Sequence, residues 1–256
     1  MTKVKKFLAS LFLTGIMALT MVLSVPAFAK SHAGKAVAVA GSATSSGQQG
    51  KRTLSTGSSV FQGDTITTGF TGRVQLLFSD NAKLVVGPRS RVKIDNYVLG
   101  RGKTVSSFAI QAARGTFRFI SGNSKKSAYK ISIKTATIGI RGTSFDFANA
   151  GRTKVVLYTG SVQVCIGGSC QTLRNKCDLA QEAGDRIIKA TTAQLVPNAY
   201  RLTFPYIRGE SSLLPAFRVN AAACDADFGP SRQGNDGGSS GGSGGRGGKG
   251  SAGANG

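Results

Sequence analysis

Residues 115–147 read GTFRFISGN, then a basic loop SKKSA, then YKISIKTATIGIRGTSFDF. Phe117 and Phe119 flank Arg118, while Ile131 and Ile133 sit among Lys130, Ser132 and Lys134. A period of two over apolar and basic residues specifies half-buried β-strands with the bases on the wet face. Comparable short runs lie outward at 64–67, 73–78, 83–86, 91–97, 105–111, 116–120, 130–134, 144–147, 154–158, 162–165, 170–173 and 186–189. Turn residues (Gly, Asp, Asn and Ser) punctuate them. Many short strands at close spacing predict an all-β domain over residues 51–190, long enough to bury one core. Gly72, Gly115 and Gly160 each open a G-x-φ-x-φ run. Similar strand entries of this kind favour a β-solenoid or β-roll, with a β-sandwich as the alternative.

The two ends differ from this middle. Met1 to Lys6 is basic, an apolar stretch runs from Phe7 to Val25, and Ala27-Phe28-Ala29 follows Pro26. Together these read as a secretory signal peptide, residues 1–29, removed before Lys30. No later stretch is apolar for long enough to serve as a transmembrane anchor. Residues 30–50 are small and polar and read as a flexible lead-in, with one strand at 36–40. Residues 191–230 carry Pro197, Pro205, Pro215 and Pro230 among Tyr200, Phe204, Tyr206, Leu213, Leu214 and Phe217. They read as an irregular C-terminal extension laying aromatics over the core. Residues 231–256 form a Gly/Ser-rich tail of disordered composition. Its G-x-G-x-x-G at Gly242, Gly244 and Gly247 has no strand before it or helix after it, so it makes no phosphate cradle.

Several pieces occur in a telling order: Gly63-Asp64-Thr65-Ile66-Thr67-Thr68, Leu76-Leu77-Phe78-Ser79-Asp80, Pro88-Arg89-Ser90-Arg91, Gly115-Thr116-Phe117-Arg118-Phe119, and Ile138-Gly139-Ile140-Arg141-Gly142-Thr143. With these motifs the chain resembles the FecR domain of bacterial envelope proteins, over roughly residues 57–165. The resemblance implies a sensing or regulatory module acting through protein contacts, with a membrane or other envelope protein as partner. The family's transmembrane regulators place a cytoplasmic anti-sigma segment ahead of one membrane helix. Here only a basic hexapeptide precedes the apolar stretch, so relay of an iron-siderophore signal to a sigma factor is not carried over.

The net charge of +22 becomes +19 once Lys3, Lys5 and Lys6 leave with the signal peptide. A surface this basic favours anionic partners such as peptidoglycan, lipopolysaccharide or anionic lipid. No nucleic-acid motif accompanies the charge. Lys125 and Lys126, in the loop after residue 120, and Arg141 are the candidate anion contacts. The structural alternative for Arg141 is a pair with Asp146 that holds the Gly142 turn. Cys165, Cys170, Cys177 and Cys224 imply two disulfides in an oxidising compartment, periplasmic or secreted. A hairpin through Gly167-Gly168 would set Cys165 opposite Cys170 and leave Cys177 for Cys224. The rival pairs Cys170 with Cys177 and Cys165 with Cys224. Catalysis lacks a base: the lone histidine is His32, and G-x-S-x-G occurs only inside the Gly/Ser-rich tail, as at Gly237, Ser239 and Gly241, where no strand precedes it. The expectation is a non-enzyme without cofactor or metal, and a glycan hydrolase built on paired carboxylates is the least favoured reading.

N-terminal sequencing of the exported protein should begin at Lys30. An intact Met1, or a product that stays with membranes after alkaline carbonate washing, would contradict the signal-peptide reading.

Overall fold

The structure is a computed structural model that describes residues 31–190, 204–207, 209–221 and 223–226. The signal segment, Tyr200 and the Gly/Ser-rich tail lie outside the described residues. Alternating hydrophobicity resolves into two facing sheets. Sheet A runs, in spatial order, β4 (Ser59–Phe61), β1 (His32–Ala40), β6 (Arg73–Phe78), β7 (Lys83–Val86), the second half of β9 (Val105–Ile120), β12 (Ser144–Asn149), β13 (Thr153–Thr159), β16 (Leu179–Ala183) and β17 (Arg186–Ala190). Sheet B runs β3 (Gly50–Thr53), β2 (Ala43–Gly47), β5 (Thr65–Thr68), β8 (Arg91–Leu99), the first half of β9, β10 (Tyr129–Ile133), β11 (Ala136–Ile140), β14 (Val162–Ile166) and β15 (Ser169–Leu173). The β9–β10 pairing is parallel and the rest are antiparallel. Hairpins alternate between the layers as the chain advances, giving an open, rolled, all-β architecture.

One strand joins the layers. β9 pairs with β10 up to Ala112 and with β8 up to Arg114, then with β12 from Gly115 and with β7 from Phe117. The sequence suggests two strands here, 105–111 and 116–120. They are one strand because the turn-like Arg114-Gly115 is a corner rather than a break. Gly115 has φ 110°, and a Cβ there would stand 2.0 Å from Ser90 Oγ. Ser90 Oγ in turn accepts the Thr116 N–H at 3.0 Å. Gly160, another of the recurring entry glycines, is pressed against the Gly142 carbonyl, 1.9 Å from where its Cβ would lie.

The core between the layers is continuous. Phe117, Phe119, Phe145 and Phe147 from sheet A meet Ile110, Ile131, Ile138, Ile140 and Val164 from sheet B, all buried. Phe117 stacks on Phe147 with ring centroids 4.9 Å apart. The lead-in expected to be flexible at 30–50 is instead β1, β2 and the start of β3. Its small residues reflect close packing: Ala33 and Ala36 are buried, and a Cβ on Gly34 would meet the Leu77 carbonyl at 2.3 Å. His32 therefore sits in a strand, its ring edge-on to Phe61 at 5.7 Å. β16 carries no strong strand composition and owes its place to neighbours on both sides. Gly139 faces solvent, and only the Gln163 carbonyl, at 3.9 Å, comes near its Cβ position.

The Asp80 turn ties a loop to the sheets. Asp80 accepts the Ala82 N–H at 3.1 Å, the Ser124 hydroxyl at 2.8 Å and the Tyr129 hydroxyl at 2.6 Å. Burial first, then the hydrogen bond to Asp80, pushes the Tyr129 hydroxyl up to about 12. Burial likewise pushes Tyr97 up to about 12. Unfolded tyrosine loses its proton near pH 10, so these groups favour the fold below that pH. Their contribution should be lost as pH rises from about 10 through 12. Tyrosinate absorbance at alkaline pH should rise together with loss of the far-UV strand signal. Free titration of all tyrosines near pH 10 with the fold intact would contradict it.

Thermal or denaturant unfolding of Ile138→Ala should show a loss of about 2–5 kcal/mol. Gly139→Ala should be nearly neutral by the same measurement. Gly142→Ala should destabilise, because φ at Gly142 is +64°.

Candidate functional site

The motif residues prove to be corners and core. Gly63 turns the chain at φ 84°, and Asp64, fully buried, accepts the Phe61 N–H at 3.0 Å and pairs with Arg52. Thr68 donates its hydroxyl to the Gly87 carbonyl at 2.6 Å and accepts the Ser90 N–H at 2.9 Å. Thr143 is buried, its N–H donating to Ser121 Oγ at 3.0 Å. Arg141 is exposed and does not pair with Asp146. Lys125 and Lys126 are also exposed, and the Lys126 stem lies 2.6 Å from where a Gly142 Cβ would be. Lys126 and Arg141 thus flank the β11–β12 turn.

Asp146 belongs to Arg118. The alternation that buries Phe117 and Phe119 turns Arg118 to the outer face of sheet A, and the Phe145-Asp146-Phe147 run does the same for Asp146 on the adjacent strand. Arg118 donates to Asp146 through Nε at 2.7 Å and Nη2 at 3.0 Å, a bidentate pair. The wet face expected for this base is covered. Phe204, Tyr206, Ile207, Leu213 and Phe217 of the C-terminal extension are buried over it. Glu210 accepts Arg118 Nη1 at 2.6 Å, and the Tyr206 carbonyl accepts Nη2 at 3.3 Å. The Tyr158 hydroxyl donates to Asp146 at 2.8 Å. Burial, the largest influence, pushes the Asp146 carboxyl above its ordinary range, and Arg118 offsets only part of that. Burial also works against the charge of Arg118, but Asp146, Tyr158 and Glu210 outweigh it and hold the guanidinium protonated.

The four cysteines form two disulfides, one of which fastens the cover. Cys165 pairs with Cys170 across the β14–β15 hairpin, Cα atoms 4.1 Å apart. Cys177 pairs with Cys224 in α1 (Ala223–Ala226), Cα atoms 5.3 Å apart, pinning the extension.

Sheet B has no such cover among the described residues. Its outer face carries rows of polar residues in register: Thr65, Lys93, Gln111, Ser132, Thr137 and Cys165 in one, and Lys130, Gly139, Gln163 and Thr172 in another. Where β9 leaves for sheet A, a groove of about 550 Å³ opens, lined by Arg91, Lys93, Gln111, Ala113, Ser132 and Lys134. Lys93 is paired with Asp95 at 3.0 Å, and no described carboxylate pairs with Arg91 or Lys134. The groove was not singled out from sequence. Its signal is the alternation of bases at 91 and 93 and at 130 and 134, with alanine at 109 and 113 on the strand between.

The geometry defines an all-β module, closed on one face by its own C-terminal segment and open and basic on the other. Residues 64–163 match the family model described as FecR protein. The match spans β5 to the start of β14; the flanking strands and the extension lie outside it. Two crystal structures of a candidate anti-sigma factor from Parabacteroides distasonis ATCC 8503 are similar, with TM-scores of 0.42 and 0.40 and identities of 14% and 13%. Each alignment covers 49% of this chain and 58% of that one, so the chain spans under two thirds of their length. A cell surface anchoring domain aligns with a TM-score of 0.24 and 33% identity over 25% of this chain and 84% of its own length. No curated protein matches the sequence.

Arg118→Ala should cost about 3–5 kcal/mol, because it strands the buried Asp146 carboxylate. Denaturant unfolding measures it. A loss under about 1 kcal/mol would mean that water reaches the cluster.

Proposed function

We propose that this protein is a non-enzymatic sensing or regulatory module of the cell envelope, acting by contact through the open face of sheet B. The FecR match supports the regulatory role. The asymmetry of the two faces carries the surface assignment. Sheet A packs its outer face against the chain's own extension, while no described residue outside sheet B covers the outer face of its nine strands. Two disulfides support an oxidising compartment, periplasmic or secreted. Among the described residues no helix is long and apolar enough to cross a membrane. The partner is an envelope or membrane protein. The buried acids favour structure over catalysis: Asp64, Asp80 and Asp146 are each committed to hydrogen bonds within the fold.

Tagged mature protein should capture an envelope protein from detergent-solubilised envelopes. Lys130→Glu with Thr137→Glu, on the open face, should abolish capture without lowering the melting temperature. Capture indifferent to these changes would overturn the assignment of the surface. Release of sugars from envelope glycans, abolished by one Asp substitution, would overturn the non-enzymatic reading.

A further inference from the structure

The crossover of β9 leaves more than a gap. Beyond Ala112 the strand departs, so Arg91 faces Arg114 across a bulge and the β10 ladder ends at Ile133. The groove therefore has Arg91 and Lys93 on one bank, and Ser132 and Lys134 on the other. Gln111 and Ala113 form its floor. Its banks are two strand spacings apart, roughly 10 Å, which admits one linear chain. Along the first bank the bases recur about every 7 Å.

The track continues around the corner. Arg89, two residues before Arg91, is held in the left-handed region at φ 52°, and its guanidinium lies 3.5 Å over the ring of Phe70. Phe70 is 71% exposed, an unusual position for a phenylalanine. Phe70, Arg89 and Arg114 line a second hollow that begins where the groove ends. A strained cationic residue stacked on an exposed aromatic points to use rather than stability.

We propose that this track binds a linear glycan carrying carboxylates on its rings. The inference rests on the open face of sheet B being the working surface, and adds a ligand to it. Arg91 and Arg89 offer forked donors to carboxylates, and Lys134 supplies an ammonium that no described carboxylate pairs. Half-buried Lys93 shares its charge with Asp95 in a weak surface pair that leaves it available. Thr65, Ser132 and Gln111 provide hydroxyl and amide partners for sugar hydroxyls. Phe70 offers an apolar ring to the C–H face of a sugar. An acidic protein segment fits less well, because protein interfaces centre on buried apolar anchors and this floor is made by Gln111 and Ala113.

Calorimetric titration of the mature protein with polygalacturonate oligomers tests the proposal, with neutral dextran and polyglutamate as comparators. Polygalacturonate should bind, weaken with salt, and outcompete polyglutamate of equal charge. Arg91→Gln with Lys134→Gln should weaken it roughly tenfold, and Phe70→Ala several-fold, with unchanged melting temperatures. Arg101→Gln with Lys103→Gln, exposed in the β8–β9 turn at the far end of the hairpin, removes equal charge elsewhere and should leave binding intact. Three results would overturn the proposal: no binding, equal loss in the Arg101/Lys103 control, or polyglutamate bound as tightly with Phe70→Ala silent. In those cases protein capture that still depends on Lys130 and Thr137 would leave the sensing reading standing.

Discussion

A guanidinium with no exposed surface sits in the middle of an outer sheet face, and much of this molecule is arranged around it. Arg118 cannot be buried alone, since desolvating an unpaired charge costs several kcal/mol. Asp146 on the adjacent strand answers two of its donors, and Glu210, 92 residues further along the chain, answers a third. Glu210 also accepts the N–H groups of Val219 and Ala221, so one carboxylate folds the extension on itself and fastens it to the sheet. Such a cluster is poor value as raw stability compared with a well-packed apolar patch. Its effect is registry. The aromatics of the extension have one position in which both the carboxylate and the rings are satisfied.

The Cys177–Cys224 bridge complements this. It closes a loop with a sequence separation of 47, and chain entropy makes that worth roughly 4 kcal/mol in the unfolded reference. Covalent pin and charge cluster hold opposite parts of the same segment. The consequence is a molecule with two unlike faces. Sheet A is sealed by an internal partner, while sheet B meets solvent with threonine, glutamine, lysine and arginine in register. The same β9 corner that lets one strand serve both sheets also creates the groove. Architecture and candidate binding surface thus share one cause, the tight approach of Gly115 to Ser90.

Much of the fold was legible where alternation was strong. Phe117/Phe119, Ile131/Ile133 and Ile138/Ile140 point inward as their period requires, and the Gly-Gly hairpin aligns Cys165 with Cys170. Strands of small residues were hidden, because alanine and glycine read as flexible until their packing is seen: Ala33 and Ala36 are fully buried, and a Cβ on Gly34 would stand 2.3 Å from the Leu77 carbonyl. The fate of Arg118 was misread for a related reason. Alternation tells which face a residue takes, but not whether a later segment covers that face. The paired patterns Phe-Arg-Phe and Phe-Asp-Phe were the available clue, each setting a charge between core aromatics. The open groove depends on where β9 changes sheets, a tertiary event that no local pattern encodes.

The buried charge cluster fastens the extension to sheet A, and a double-mutant cycle measures that coupling. Arg118→Met, Glu210→Gln and the double variant should be compared by denaturant unfolding in the full chain with its disulfides intact. The account predicts a coupling energy of at least about 1 kcal/mol between these two residues. Additive losses, with coupling indistinguishable from zero, would contradict it and leave the extension held by its aromatics and the disulfide alone.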